Sequence, residues 1–324
     1  MSRHRIVIDT DPGVDDAAAI WLALASPEIE VLGITVVAGN VTLEATLANA
    51  CKIVALAGRT DVPVFAGAPG PLVRPQVTGK YAHIGAFSDQ LVPATELKPA
   101  AGHAVDFLIG TARAAAEAGD PITICAIGPL TNLALALVQA PDIATGIRQI
   151  VTMGGAFRAL GNRTPWAEFN VYADPHAAEI VYGSGVPIVL MPLDVTLQAL
   201  FTQEHIQHFS DTAGPPGRAL ANLLLAFDRG DIGRFGRPGG PIHDPTTIAW
   251  LFKPELFVGR PAAIGVEVAG KTAGYTYADY HRQTDRPATA LVIERLDEQG
   301  YIALLSERLG FYGGAGGIGW PAIC

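Results

Sequence analysis

Residues 5–16 read RIVIDTDPGVDD and lead from a short apolar run into a cluster of acidic side chains. The β-branched run predicts a buried strand, and the Pro-Gly pair after it predicts a tight turn. Acidic residues are favoured in the first turn of a helix, so the last two aspartates mark the start of one. A strand, a turn and a helix in this order predict an α/β protein.

The same alternation of β-branched runs and amphipathic stretches continues through the first two thirds of the chain. It predicts parallel strands that are joined by crossover helices and buried on both faces. The helices are expected to begin near residues 15, 42, 102, 130 and 175. The predicted strands are residues 5–9, 30–37, 62–65, 122–127, 149–153 and 187–191.

The pattern changes after residue 192, where helical segments precede two alternating strands and a closing helix. We therefore expect an open, mostly parallel sheet flanked by helices, with a small C-terminal β-hairpin addition. No internal repeat and no long linker divides the chain, so residues 1–324 are expected to form one domain. The predicted late elements are helices at residues 202–209, 217–227 and 296–308 and strands at residues 262–268 and 275–280.

One short segment matches a phosphate-binding motif. Residues 265–272 read GVEVAGKT, which fits the pattern G-x-x-x-x-G-K-[ST]. That motif needs a strand before it and a helix that begins at its Lys-Thr pair, whereas the residues on both sides of this match alternate like strands. We therefore interpret the segment as a β-hairpin that turns at Gly270 and Lys271.

The composition narrows the class of protein and its partners. The chain has 324 residues with 22 basic and 31 acidic side chains, and this net charge of −9 argues against a nucleic-acid partner. It has 49% hydrophobic and 16% charged residues, which indicates a globular chain, and no apolar run is long enough for a membrane span or a signal peptide. The three cysteines show no metal-binding spacing, so we expect a cytoplasmic protein without disulfides or membrane association.

The acidic cluster at the end of the first strand indicates a metal site. Two like charges about 4 Å apart repel by roughly 1 to 4 kcal/mol, so the cluster needs protonation, an opposing charge or a cation. Oxygen ligands without cysteine or clustered histidine favour a hard cation such as Ca²⁺ or Mg²⁺. Helix capping alone would account for Asp15 and Asp16, but not for Asp9 and Asp11 at the end of a buried strand.

Further polar residues follow other predicted strands, where open α/β sheets bind their ligands. Asn40 follows the second strand, and Asn162, Glu168 and Asn170 follow the fifth. Amides with a carboxylate suit the hydroxyl groups of a sugar, although ordinary loop residues would give the same pattern. Met153, at the end of the fifth strand, is expected in the core or in a pocket wall.

Two histidines are further candidates. His243 and Asp244 precede a helical run, so Asp244 would act either as a helix cap or as part of the acidic site. In the second case His243 is suited to be a general acid near neutral pH. His83 lies in a long, proline-containing segment, residues 67–97, of a kind that often forms a lid over a substrate.

Several short motifs together resemble the inosine-uridine-preferring nucleoside hydrolases. They occur in family order between about residues 5 and 250, and the aspartate motif is the most specific of them. The matching segments are DTDPGVDD (9–16), GN (39–40), IGPLTN (127–132), MGGA (153–156), GN (161–162), AEFN (167–170), DP (174–175) and HDP (243–245).

The resemblance implies a Rossmann-like nucleoside hydrolase fold and a reaction. Members of the family hydrolyse the N-glycosidic bond of ribonucleosides to ribose and a free nucleobase. An oxocarbenium-like transition state is expected, as in glycoside hydrolysis. The resemblance also implies a homodimer or a homotetramer.

The resemblance implies roles for individual residues as well. A Ca²⁺ ion is expected between the side chains of Asp11, Asp16 and Asp244 and the backbone carbonyl of Ile127. Asp11 is the expected base for the attacking water, and His243 is the expected acid that protonates the leaving base. The expected substrate contacts are Asp15, Asn40 and Asn170 at the ribose 2′- and 3′-hydroxyls, Asn162 and Glu168 at the 5′-hydroxyl, and Met153 and His83 elsewhere in the pocket.

Two segments depart from the family pattern, and both belong to the base-recognition side. Residues 81–87 read YAHIGAF where members commonly carry a His-Gly motif. These departures leave the preference between purines and pyrimidines open. The helix that often presents tyrosines to the base offers Phe227, Asp228, Arg229, Asp231, Arg234 and Phe235.

Two other functions compete with this interpretation. A Mg²⁺-dependent phosphatase of the haloacid-dehalogenase type also has an Asp-x-Asp motif after its first strand. Such enzymes have Thr or Val where this chain has Gly13, and they need a downstream lysine for which the chain offers no candidate. A ribose- or nucleoside-binding protein without catalysis would lack Asp11 or a metal ligand, and none is missing.

Overall fold

A nine-stranded sheet forms the centre of the molecule. The structure is a computed structural model that describes residues 3–80, 82–227 and 232–314. The strands are β1 (His4–Thr10), β2 (Ile29–Val36), β3 (Val64–Ala66), β4 (Ile122–Ala126), β5 (Ile147–Met153), β6 (Ile188–Met191), β7 (Leu200–Phe201), β8 (Gly240–Pro241), β9 (Phe257–Val266), β10 (Thr276–Asp279) and β11 (Ala290–Leu296). The order in the large sheet is β10-β9-β11-β6-β5-β4-β1-β2-β3, and β7 pairs with β8.

Helices connect these strands. They are α1 (Val14–Ala25), α2 (Leu43–Leu56), α3 (Ala104–Glu117), α4 (Thr131–Gln139), α5 (Phe169–Ala173), α6 (Pro175–Tyr182), α7 (Leu193–Thr196), α8 (Gln203–Thr212), α9 (Gly214–Ala226), α10 (Ile232–Phe235), α11 (Pro245–Phe252) and α12 (Glu298–Leu309). Among the described helices, none combines the length and the apolar character that a membrane-spanning segment needs.

The pairing of the strands confirms the predicted open, mostly parallel sheet. In the large sheet all neighbours from β3 through β1 to β11 run parallel, whereas β9 pairs antiparallel with both β11 and β10. Residues 265–272 lead from β9 into the turn before β10, and Gly270 takes a positive φ of 73° there. The hairpin interpretation is therefore confirmed, because β10 pairs antiparallel with β9 and, among the described residues between these two strands, no helix begins at Lys271 and Thr272.

The sequence did not predict β11, which lies between β6 and β9 and joins the hairpin to the parallel part of the sheet. Its sequence ALVIERL contains leucine, glutamate and arginine, which favour helices, and it runs directly into α12. The helix propensity of these residues therefore did not reveal where the strand ends and the helix begins.

The core fills both faces of the sheet. One apolar cluster includes α1, α2, α9, α11 and α12, and a second includes α3, α4 and α6. Helix α1 is buried along almost its whole length, and Trp21 on it donates a hydrogen bond to the Ile53 carbonyl of α2 at 3.0 Å. The strands of the sheet come from positions between residues 4 and 296. That the whole chain forms a single domain stays a prediction.

Candidate active site

A cavity of about 650 Å³ lies where the carboxyl ends of β1, β2, β4 and β5 meet. Parallel neighbours end at the same edge of a sheet, which explains why loops far apart in sequence reach it. Asp11 lies directly beside this cavity and is fully buried. The predicted site residues that line the cavity are Asp15, Asp16, Asn40, Ile127, Met153, Asn162, Glu168, Asn170, His243 and Asp244.

The turn after β1 folds back onto the Asp16 carboxylate. The Thr10 hydroxyl donates to one of its oxygens at 2.6 Å, and the Gly13 N–H donates to the other at 2.9 Å. These bonds fix the start of α1 and orient the acidic cluster. Burial, followed by the neighbouring charge of Asp15, raises the pKa of Asp16 to about 6.

The Asp11 carboxylate is held between two glycines. The Asn40 N–H donates to Asp11 Oδ2 at 2.6 Å, and a side chain at Gly39 or Gly128 would overlap the carboxylate. Asp11 Oδ1 is buried without a hydrogen-bond partner. Burial and the charge of Asp16 raise the pKa of Asp11 well above its usual range. A buried carboxylate in this state calls for a cation or a proton.

Three further carboxylates converge beside it. Asp15, Asp16 and Asp244 each offer an oxygen, and these oxygens lie within 4.8 Å of one another. Asp244 occupies the position before α11, but its side chain makes no capping hydrogen bond, so helix capping does not explain it. An all-oxygen donor set and the unpartnered Asp11 oxygen fit a hard divalent cation. The structure thus groups Asp15 with two of the expected ligands, and Asp11 adjoins the group.

The loop after β5 carries the predicted sugar-binding residues. Asn170 donates from Nδ2 to the carbonyls of Ile127 at 3.0 Å and Met153 at 3.2 Å. The Glu168 carboxylate accepts the N–H groups of Gly155, Asn170 and Val171, and burial raises its pKa to about 7.

Asn162 and the two histidines differ in their surroundings. Asn162 is exposed, and its Oδ1 accepts the N–H of Phe169 at 2.9 Å. His243 is almost fully buried, with Nδ1 2.7 Å from the Thr196 hydroxyl. His83 lies on the 3₁₀ turn Ala82–Ile84, is exposed and is not among the cavity-lining residues.

The sequence matches the family described as inosine-uridine preferring nucleoside hydrolase over residues 6–303. The chain belongs to this family. A pyrimidine-specific ribonucleoside hydrolase RihA of Salmonella paratyphi B is 45% identical over 310 residues, which cover 95% of this chain and 98% of that protein. Among solved structures, a purine-preferring ribonucleoside hydrolase from Gardnerella vaginalis is 32% identical, with a TM-score of 0.85 over 95% of this chain and 99% of its own. A plant nucleoside hydrolase, PpNRh1, is 31% identical, with a TM-score of 0.84 and the same coverage.

The match confirms the predicted family and fold class, and it supports neither the phosphatase nor the non-catalytic binding protein. As a nucleoside hydrolase, the protein is an enzyme that breaks N-glycosidic bonds of ribonucleosides. The acidic cluster of this nucleoside hydrolase could hold a metal ion.

The cavity of the nucleoside hydrolase has a polar part and an apolar part. The acids and amides described above form the polar part, whereas Val41, Phe87, Phe227 and Phe235 add apolar surface. Of the two segments that depart from the family pattern, Tyr81, Asp228, Arg229, Asp231 and the Arg234 side chain lie outside the described residues.

Sequence reasoning missed two polar residues of the site, Asn49 and Thr196. Asn49 lies on the buried face of α2 and lines the cavity, and Thr196 contacts the His243 ring. A buried amide among Ala50, Ile53 and Val54 is an available signal, because buried polar groups need partners. Which partners Asn49 has cannot be read from its own helix.

Proposed function

We propose that this nucleoside hydrolase cleaves ribonucleosides with the aid of a calcium ion bound at the carboxyl end of β1. The observation that carries the proposal is the buried, unpartnered Asp11 Oδ1, whose carboxylate is influenced by the charges of Asp16 and Asp15. Asp15 and Asp16 in turn group with Asp244 within 4.8 Å. Calcium accepts six to eight oxygen ligands in flexible geometry, whereas magnesium keeps several waters. A site this rich in protein oxygens therefore favours calcium.

The proposed ligands are the carboxylates of Asp11, Asp16 and Asp244 and the carbonyl of Ile127. Asp15, whose oxygen lies with those of Asp16 and Asp244, is assigned to the ribose hydroxyls. When bound, the ion supplies Lewis-acid chemistry that lowers the pKa of water. The Asn170 amide, which donates to the Ile127 carbonyl, orients that ligand.

Asp11 is the proposed general base. The Asn40 N–H and the backbone at Gly39 and Gly128 hold its carboxylate in one orientation, so it meets the attacking water without a search over rotamers. The proton of the water passes to Asp11. Positive charge develops on the ribose ring, which becomes oxocarbenium-like in the transition state.

The polar part of the cavity holds the ribose in this proposal. Asp15, Asn40 and Asn170 bind the 2′- and 3′-hydroxyls, and Asn162 and Glu168 bind the 5′-hydroxyl. The support is that all five line one cavity with three of the proposed metal ligands, Asp16, Ile127 and Asp244.

His243 is the proposed acid for the leaving base, since it lines the same cavity next to Asp15. Thr196 fixes its ring through Nδ1, and we assign proton delivery to Nε2. Met153 forms part of the pocket wall. A contact from His83 requires movement of its exposed turn, and this residue stays a prediction.

We further propose that pyrimidine ribonucleosides are the better substrates. The support is the 45% identity with the pyrimidine-specific enzyme, against 32% with the purine-preferring one. The homodimer or homotetramer and the cytoplasmic location also stay predictions. The location is supported by Cys51 and Cys125, which are both buried as free thiols.

A substrate panel tests the proposal. Purified protein is incubated with inosine, adenosine, guanosine, uridine and cytidine, and reducing sugar is measured before and after chelation. We expect ribose release that stops on chelation, returns with Ca²⁺ more than with Mg²⁺, and is fastest for uridine or cytidine. Ribose release that survives complete chelation would contradict the metal, and faster release from purines would contradict the preference.

A further inference from the structure

The segment between β3 and α3 brings an aromatic ring to the cavity almost without regular secondary structure. Among its described residues the only helical turn is Ala82–Ile84, yet Phe87 is 4% exposed and lines the cavity. Backbone ladders therefore do not hold Phe87 in place. Other contacts must do so, and helix α2 provides them.

Two side chains of α2 bind both peptide groups of Phe87. Asn49 Oδ1 accepts the Phe87 N–H at 2.7 Å, and Lys52 Nζ donates to the Phe87 carbonyl at 2.6 Å. The two residues are three apart and therefore project from the same face of the helix. Asn49 is 1% exposed, so loss of its amide would leave a buried N–H without a partner.

The same asparagine also binds the acidic turn. Asn49 Nδ2 donates to the Pro12 carbonyl at 2.9 Å, and Pro12 follows Asp11 directly. One planar amide therefore sets the spacing between the turn that carries the acids and the segment that carries Phe87. Asn49 accepts one of these hydrogen bonds and donates the other, so among common side chains of this size an amide is needed.

Phe87 belongs to the apolar part of the cavity. Its ring lies 6.3 Å from that of Phe227 at 72°, and both rings line the cavity. A nucleobase is flat and aromatic, whereas the ribose hydroxyls require the polar part, so this aromatic surface suits the base.

We propose that Asn49 and Lys52 are positioning residues that set the nucleobase wall of the cavity by holding the peptide groups of Phe87. The inference rests on the proposed function, since it presupposes a nucleoside substrate. Lys52 acts on the base wall alone, whereas Asn49 links that wall to the acidic turn.

The test uses Lys52→Met, Asn49→Ala and the control Asp89→Asn. Lys52 also pairs with the exposed Asp89 at 2.7 Å, so the control removes this ion pair and keeps the bond to Phe87. Each variant is assayed on uridine and inosine, and methyl ribofuranoside, which has a ribose and no base, is measured as a competitive inhibitor. Melting temperatures verify that each variant folds.

For Lys52→Met we expect kcat/KM for the nucleosides to fall about tenfold with a changed uridine-to-inosine ratio, while the inhibition constant of the riboside stays within about twofold. Asn49→Ala, which also releases Pro12, is expected to lower kcat/KM for the nucleosides and to weaken inhibition by the riboside. Asp89→Asn is expected to match the wild type in both measurements.

An unchanged uridine-to-inosine ratio in Lys52→Met would overturn the inference, as would an equal loss for nucleosides and riboside. Wild-type protein that releases no ribose from any nucleoside would instead overturn the proposed function, and the inference with it.

Discussion

The Asp11 side chain combines full burial with a carboxylate oxygen that has no hydrogen-bond partner. Burial and the nearby Asp16 carboxylate both disfavour its charge. Such an arrangement costs stability, and proteins retain it mainly at functional sites. The same atom is therefore a sensitive place to test the proposed reaction.

Replacing Asp11 with alanine is expected to abolish turnover. The substitution removes the proposed base and one metal ligand, and a single acid or base typically contributes roughly 10²- to 10⁴-fold. The measurement is kcat for ribose release at saturating uridine, with Asp142→Asn, which removes an exposed ion pair to Arg113, as the control. An Asp11→Ala enzyme with more than about a tenth of normal activity would refute the role of Asp11.

Adding one methyl group at Gly39 is expected to impair catalysis almost as strongly. The new Cβ would overlap Asp11 Oδ2, and a displacement of about 1 Å in a catalytic group can cost 10²-fold. Gly70→Ala is the matched control, because a Cβ there meets no atom within 4 Å and its φ is not positive. If Gly39→Ala and Gly70→Ala have the same kcat, the packing around Asp11 is not what orients it.

The ends of β1, β2 and α4 are joined by one buried polar network. Asp9 Oδ1 accepts hydrogen bonds from the Thr35 hydroxyl at 2.6 Å and from Asn132 Nδ2 at 2.9 Å. Asn132 Oδ1 in turn accepts the N–H of Ala68, just beyond β3, at 2.8 Å. The network holds the edge of the sheet where the loops of the site begin.

Asn132→Ala is therefore expected to lower the free energy of unfolding by about 2 to 4 kcal/mol, since it leaves the Ala68 N–H and part of Asp9 unsatisfied in the core. Urea denaturation of the chelated protein measures this change. Thr145→Ala, which removes an exposed hydroxyl bond to the Asp142 carbonyl, should change stability by less than about 0.5 kcal/mol. Equal denaturation midpoints for the two variants would show that the network contributes little.

The elements differ in how far their sequence predicted them. The parallel strands β1 to β6 were predicted because each contains a short, mostly apolar run that is followed by turn residues. The ends of these strands then indicated Asn40, Glu168 and Asn170. In contrast, β11 has helix-forming residues, and the role of Asn49 depends on Phe87, a partner 38 positions away. Local pattern gives the face and the period of an element, but not its distant partners.

At the scale of the whole molecule, the stability of the fold depends on several buried carboxyl groups, among them Asp9, Asp16 and Glu168. Burial raises the pKa of Asp9 and Asp16 to about 6 and that of Glu168 to about 7, against about 4 in an unfolded chain. A carboxyl group whose pKa is higher in the folded protein than in the unfolded chain stabilises the fold while it is protonated. This contribution is complete at pH values below the pKa of the unfolded chain. That contribution is lost as the pH rises through the folded pKa. The chelated protein is therefore expected to melt at a lower temperature at pH 8 than at pH 5.

Calcium should reverse this trend, because it binds the carboxylates in their charged form. Saturation at about 100 times the dissociation constant stabilises a folded protein by roughly 2.7 kcal/mol. At pH 5 the ion must compete with protons, so the rise in melting temperature on addition of Ca²⁺ is expected to be larger at pH 8. Asp244→Asn, which removes one proposed ligand from the group with Asp15 and Asp16, should reduce that rise. Equal calcium-induced shifts at both pH values, or an undiminished shift in Asp244→Asn, would place the ion elsewhere on the protein.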